Sequence, residues 1–200
     1  MNLREHERRD GYKVWLSSSE IDQLVEAAPN ASASIAFALG ARCGLRSQEI
    51  ADVTPKDIHD TDAGWILRVR GKGDKYREAW ISQELVTRIQ TAADFRAEPD
   101  HYPIVQSQSG STKVSTRTLR RWIASAGASL VEQTDDDAWA QLSMHDLRRS
   151  WATNLAAAGV DPLLVLDVGG WEDLETFLEH YRGSYSPEAH RREREKVDWI

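Results

Sequence analysis

Trp65-Ile66-Leu67-Arg68-Val69-Arg70-Gly71-Lys72-Gly73-Asp74-Lys75-Tyr76-Arg77-Glu78-Ala79-Trp80-Ile81 is where the period of the chain changes. Two runs rich in β-branched and aromatic residues flank a loop with two glycines, the pattern of an antiparallel hairpin. A strand near Lys56-Asp57-Ile58-His59 would complete a three-stranded antiparallel sheet. Outward from this sheet the signals are helical. Ser17-Ser18-Ser19-Glu20 reads as a capping box before Ile21, Leu24 and Val25. Pro29-Asn30 ends that helix. Ala31 to Cys43 is small and apolar, as a buried helix is, and Gly44 stops it. A short helix over Ser47–Asp52 is closed by Thr54-Pro55. Helices are expected at 82–96, 115–132, 144–158, 162–168 and 174–182, with Ser143 capping the third. The expected fold is mainly α with a small three-stranded antiparallel β-sheet, an α+β class.

At 200 residues, 40% hydrophobic and 28% charged, the chain is globular rather than disordered. No apolar run approaches the roughly 20 residues that span a bilayer, so no membrane partner is expected. Met1 to Asp10 lacks the apolar stretch of a signal peptide, and Cys43 is the single cysteine. These features predict a cytoplasmic protein. Residues 1–15 are charged and read as an arm or linker remnant. Residues 16–186 form the expected main domain, and 187–200 a charged tail helix ending in Val197, Trp199 and Ile200.

Several residues stand where chemistry is possible. Arg46 lies where one helix ends and another begins; free N–H groups and a positive dipole end there favour anions. Taken alone, a surface arginine is the commoner explanation. Lys72 sits between two glycines at the hairpin tip, where, taken alone, a solvated turn lysine is the commoner explanation. His145 and Arg148, three apart, share a helix face. The guanidinium disfavours a metal, whereas the pair suits a phosphodiester: arginine holds two oxygens and histidine moves a proton near neutral pH. Trp171, after Gly169-Gly170, is a hydrogen-bond donor only. Tyr181 lies ten residues further on. Core packing explains either ring by itself.

In their order, these segments resemble the tyrosine recombinase (phage integrase) family. Gly44-Leu45-Arg46-Ser47-Gln48-Glu49-Ile50 is similar to its first arginine box. Gly71-Lys72-Gly73-Asp74-Lys75-Tyr76-Arg77 is similar to its lysine hairpin. His145-Asp146-Leu147-Arg148-Arg149-Ser150-Trp151-Ala152-Thr153 is similar to its His-x-x-Arg box. Gly169-Gly170-Trp171 fills its Gly-His or Gly-Trp position, and Tyr181 falls where the nucleophile follows. The spacing from Trp171 to Tyr181 is one residue longer than the family's more frequent step of about nine, and Tyr185 is a second candidate. Many relatives carry an additional N-terminal helical domain, whereas at most 15 residues precede the main domain here.

The resemblance implies breakage and rejoining of double-stranded DNA with neither metal nor nucleotide cofactor. Tyr181 would form a 3′-phosphotyrosyl link, and Arg46 and Arg148 would neutralise the phosphate oxygens. Lys72 would protonate the leaving 5′-hydroxyl. His145 would assist proton transfer, and Trp171 would donate one hydrogen bond. Glu49, one turn from Arg46, would orient Arg46 or His145. Lys75, Lys113, Arg117, Arg120 and Arg121 are expected to contact the DNA backbone. A tetramer on DNA is implied, with a monomer or weak oligomer when free. Two alternatives are a DNA-binding regulator without efficient cleavage and a type IB topoisomerase. A helical protein-interaction module is a third.

The formal charge is −7, from 32 acidic and 25 basic side chains. With six lysines against nineteen arginines, the balance resembles that of an archaeal halophilic protein. With a DNA partner, such a chain is expected to gather its basic groups on one face and its acidic groups on the others.

Overall fold

In the computed structural model of the protein, residues 1–5, 11–71, 76–96, 100–107, 110–172, 175, 177–178, 191 and 194–196 are described. The chain opens with two short strands, β1 (Asn2–Glu5) and β2 (Tyr12–Trp15), paired antiparallel from Asn2 opposite Trp15 to Glu5 opposite Tyr12. Within the segment read as an arm, residues 2–5 and 12–15 are ordered by this pairing. Val14 is buried, and its N–H donates to Oδ1 of the distant Asp146 at 3.0 Å.

Helix α1 (Ser18–Glu26) starts at the Ser17 capping box: Glu20 N–H donates to Ser17 Oγ, and Ser17 N–H donates to Glu20 Oε2 at 2.7 Å. Helix α2 (Ala31–Arg42) is buried over most of its circumference, from Ala33 through Ala41. Its small and apolar residues let α1, α4 (Gln83–Arg96), α5 (Thr116–Thr134) and α6 (Met144–Ala157) pack around it. At Gly44 the backbone turns left-handed (φ +68°), and an added Cβ would lie 2.5 Å from the Trp151 ring. Only glycine meets both conditions. The turn delivers the chain into α3 (Ser47–Asp52).

The three-stranded sheet has the order β3 (Ile58–Thr61), β4 (Gly64–Arg70), β5 (Tyr76–Trp80), all antiparallel. Ile66 pairs with Trp80, Arg68 with Glu78 and Arg70 with Tyr76. Leu67, Val69 and Ala79 alternate inward and are buried. The helices expected at 82–96, 115–132, 144–158 and 162–168 correspond to α4, α5, α6 and α7 (Pro162–Gly169). A two-stranded ribbon, β6 (Gln106–Ser107) with β7 (Gly110–Lys113), was not anticipated; pieces so short carry little periodicity. The helices expected at 174–182 and 187–200 fall largely outside the described residues. Among the described residues no helix is long and apolar enough to cross a membrane.

Apolar burial is divided in two. The main core surrounds α2. A smaller cluster joins Trp151, Ala152 and Ala156 of α6 to Val165 and Val168 of α7, with Trp171 and Phe177 beyond it. The site lies where these two bodies and the sheet meet.

Candidate active site

Helix α7 ends at Gly170, which adopts a left-handed cap (φ +65°). The final carbonyls of a helix have no intrahelical partner and carry its negative dipole end. Here three consecutive carbonyls each accept from a different arginine. Val168 O accepts from Arg77 Nη1 at 2.7 Å, Gly169 O from Arg148 Nη2 at 2.6 Å, and Gly170 O from Arg46 Nη2 at 2.9 Å. The Gly44 carbonyl accepts from Arg148 Nη1 and, at 3.5 Å, from Arg77 Nη2. Both glycines after Val168 have a steric reason. A Cβ at Gly169 would lie 1.8 Å from the Trp171 ring, and one at Gly170 would lie 2.5 Å from Arg77 Cδ.

Glu49 is the anion of this cluster and is 5% exposed. Its Oε1 accepts from Arg46 Nη1 at 2.9 Å; its Oε2 accepts from the Arg46 backbone N–H and from Arg77 Nη2, both at 2.7 Å. Burial alone would raise the Glu49 carboxyl. The Arg77 charge, the Arg46 N–H and the Arg46 and Arg148 charges outweigh it and hold the carboxyl below its usual value of 4.5. Three guanidiniums against one carboxylate leave an excess of positive charge. The imbalance registers at Arg148, where burial first, then the Arg46 and Arg77 charges, pull the guanidinium down to about 8 against the attraction of Glu49.

Arg46, at the N-cap of α3, is the exposed member, with 43% of its side chain accessible. Arg148 is 1% exposed and lies behind Trp171, its guanidinium carbon 3.9 Å from that ring's centroid. Trp171 also stacks on Trp151 (5.9 Å between centroids, 13° between planes) and meets Phe177 edge-on at 5.2 Å. It is thus both a core residue and the cover of Arg148. His145 is exposed on the first turn of α6, one turn before Arg148. Glu49 bonds Arg46, one of the two partners expected for it.

A groove of about 1420 Å³ runs past the cluster, lined by Arg46, Glu49, Arg77, Gly170 and Trp171 and by the β4 and β5 ends Arg70, Gly71 and Tyr76. Its described lining is mixed, contrary to the expected basic face: Arg46, Lys56, Arg68, Arg70 and Arg77 are met by Glu49, Asp52, Asp57, Asp167 and Glu172. Glu49 binds the arginines, Asp57 Oδ2 caps Thr54 N–H at 2.8 Å, and Asp52 is ion-paired with Lys113. Lys113 is therefore attached to the end of α3. Arg117, Arg120 and Arg121 are exposed near the start of α5, and none of the three lines the groove. Lys72, Lys75, Tyr181 and Tyr185 lie outside the described residues.

Arg77 lies within the hairpin segment, where the resemblance implies no role for it. A signal was available. On β5 it shares the parity of Ala79, opposite to Tyr76 and Glu78, and an inward-facing cation on a strand calls for buried acceptors.

Fold and site together define a mainly helical protein with a small antiparallel sheet, whose arginine cluster opens onto a groove. The phage integrase family profile matches residues 14–187, and the chain belongs to that family. The chain is 30% identical over 134 residues to tyrosine recombinase XerA of Thermococcus kodakarensis, covering 66% of this chain and 44% of that protein. It is 28% identical over 169 residues to tyrosine recombinase XerD of Proteus mirabilis, covering 80% and 49%. The chain therefore spans about half the length of these curated relatives. The crystal structure of XerA recombinase superposes with a TM-score of 0.72 at 23% identity, over 92% of this chain and 64% of that one. That of XerH recombinase in a post-cleavage complex with its palindromic difH substrate does so with 0.71 at 19%, over 94% and 53%. The expected fold class is thus the one observed.

Proposed function

We propose that the protein is a site-specific recombinase that breaks and rejoins duplex DNA through a 3′-phosphotyrosyl intermediate. The carrying observation is the gathering of Arg46, Arg77 and Arg148 on the carbonyl end of α7, with one carboxylate among them, beside an open groove. A scissile phosphate supplies a further anion. Arg46, the exposed member, takes one non-bridging oxygen. Arg148 engages the phosphate once Trp171 shifts from its face, and the Trp171 indole N–H then turns to an oxygen. Each such donor aimed at developing charge is worth roughly 10²–10³ in rate.

The Tyr181 phenolic oxygen attacks phosphorus, and its proton passes to His145 or to water. The P–O5′ bond breaks, and the departing 5′-oxygen takes a proton from Lys72. The phosphotyrosyl ester conserves the bond energy, so a second 5′-hydroxyl reverses the step and rejoins the strand. Lys75, Lys113, Arg117, Arg120 and Arg121 hold the backbone on either side; for Lys113 this means exchanging Asp52 for a phosphate. Residues 16–186 form the catalytic domain, and the segment after 187 docks on a neighbouring protomer in a tetramer on DNA.

The test is adduct formation on a duplex nicked next to the cut site, so that the short 5′-hydroxyl fragment diffuses away. Wild-type protein is expected to accumulate a covalent protein–DNA species resistant to detergent. Tyr181→Phe abolishes it and Tyr185→Phe does not. Absence of any adduct at saturating DNA would overturn the enzymatic reading and leave a DNA-binding protein.

A further inference from the structure

We infer that Arg77 is a positioning residue of the site, and that it acts by cancelling the charge of Glu49 and so leaving Arg46 and Arg148 available to an anion. The inference rests on the recombinase reading for its chemistry and on the hydrogen bonds for its geometry. Arg77 reaches three elements from the sheet: Val168 O at the end of α7, Gly44 O at the turn into α3, and Glu49 Oε2 within α3. Its side chain is 9% exposed, and its stem lies against the Gly170 Cα, where an added Cβ would meet Cδ. A planar guanidinium with five N–H donors serves such divergent acceptors at once; a lysine ammonium does not span them.

The electrostatic consequence follows from the count of charges. Glu49 is buried and holds Arg46 through both its backbone N–H and its guanidinium. Without Arg77, Arg46 would be the only guanidinium hydrogen-bonded to this buried carboxylate, and the existing Arg46–Glu49 pair would carry the whole of its charge. With Arg77 taking Oε2, one positive charge is spent on Glu49, and two remain for a phosphate. Arg77 touches no substrate in this scheme. It sets the charge and the direction of Arg46, and it ties β5 to α3 and α7.

The experiment compares the wild type with R77Q, R77M, R77K, E49Q and the double variant E49Q/R77Q. Three readouts are taken: single-turnover cleavage of the nicked duplex, duplex binding by fluorescence anisotropy, and the ¹⁵N signals of the Arg46 guanidinium without DNA. R77Q and R77M are expected to cleave about 30-fold more slowly at saturating DNA, with Kd changed less than about threefold. R77K, which keeps the charge, stays within about tenfold of wild type. The double variant recovers at least about fivefold over R77Q, because removing the uncompensated carboxylate restores the excess of positive charge. A packing role alone predicts the reverse, a double variant no faster than R77Q, and that result overturns the inference. So does an unshifted Arg46 signal in R77Q, or a failure of both neutral variants to fold. If wild-type protein forms no adduct, the recombinase reading fails. The Arg46 signals then decide the role of Arg77 by themselves: a shift in R77Q that is reduced in R77K supports it, and no shift overturns it.

Discussion

Arg148 and Arg149 are adjacent on α6, both nearly inaccessible at 1% and 2% exposure, yet they serve opposite sides of the helix. Arg149 turns to the N-terminal hairpin. There it pairs with Asp146, whose Oδ1 also accepts from Val14 N–H at 3.0 Å, and its guanidinium lies 5.4 Å from the Trp15 ring. Ser150 Oγ accepts from Leu16 N–H at 2.8 Å, and Asn154 Nδ2 donates to Leu16 O. On this side a full negative charge meets a full positive one. Arg148 turns to α7, where its donors meet the carbonyls of Gly44 and Gly169. Carbonyl dipoles hold a guanidinium in place without cancelling its charge. A buried arginine satisfied by a carboxylate builds the fold, whereas one satisfied by carbonyls keeps its charge for a ligand.

Substitutions on the two sides should therefore fail in different ways. The largest expected effect is on the site side. Arg148→Ala should lower single-turnover cleavage by at least about 10³-fold while the folded population is retained, as circular dichroism and DNA-binding titrations would show. A drop of less than tenfold would erase the contrast. On the hairpin side, Asp146→Ala and Arg149→Ala each remove one member of a buried ion pair. Each should cost about 3–5 kcal/mol in urea unfolding, with the rate per folded molecule kept within about threefold. Gly44→Ala, at the joint between the sides, combines a left-handed backbone with a clash against Trp151, and should cost at least about 2 kcal/mol.

The smallest expected effect is a pH dependence. Glu49 has a carboxyl pKa lower folded than unfolded, so its contribution to stability is present above about pH 4.5 and is lost as pH falls through the lower, folded value. Wild-type stability should consequently fall more steeply with acid than that of Glu49→Gln. Parallel curves from pH 6 to pH 3 would mean that the Glu49 carboxylate is not held by its arginines.

Much of this architecture was legible in the sequence because it is written in local periods. The alternation around Trp65–Ile81, the apolar run of α2 and the Ser143 cap of α6 each act within a few residues. Arg46 and Glu49 stood out for the same reason, since they sit at the N-cap and first turn of α3. What escaped depends on contacts distant in sequence. The first strands derive their order from Asp146 and Ser150, more than a hundred positions away. Arg77 looked like one more hairpin cation until the end of α7 came to face it. Arg148 read as an open phosphate ligand, whereas Trp171 lies across it, a consequence of the second apolar cluster that spacing alone does not reveal.

The most direct test of the contrast, and of the site it defines, is a side-by-side measurement of Arg148→Lys and Arg149→Lys. The readout is the single-turnover cleavage rate on the same nicked duplex, normalised to folded protein. Lysine keeps the charge and removes the fork at both positions. The account predicts that Arg148→Lys slows cleavage by at least about a hundredfold with little change in unfolding midpoint, and that Arg149→Lys lowers the midpoint while cleaving within about threefold of wild type. Equal losses of rate at the two positions, or a larger loss at Arg149, would contradict it.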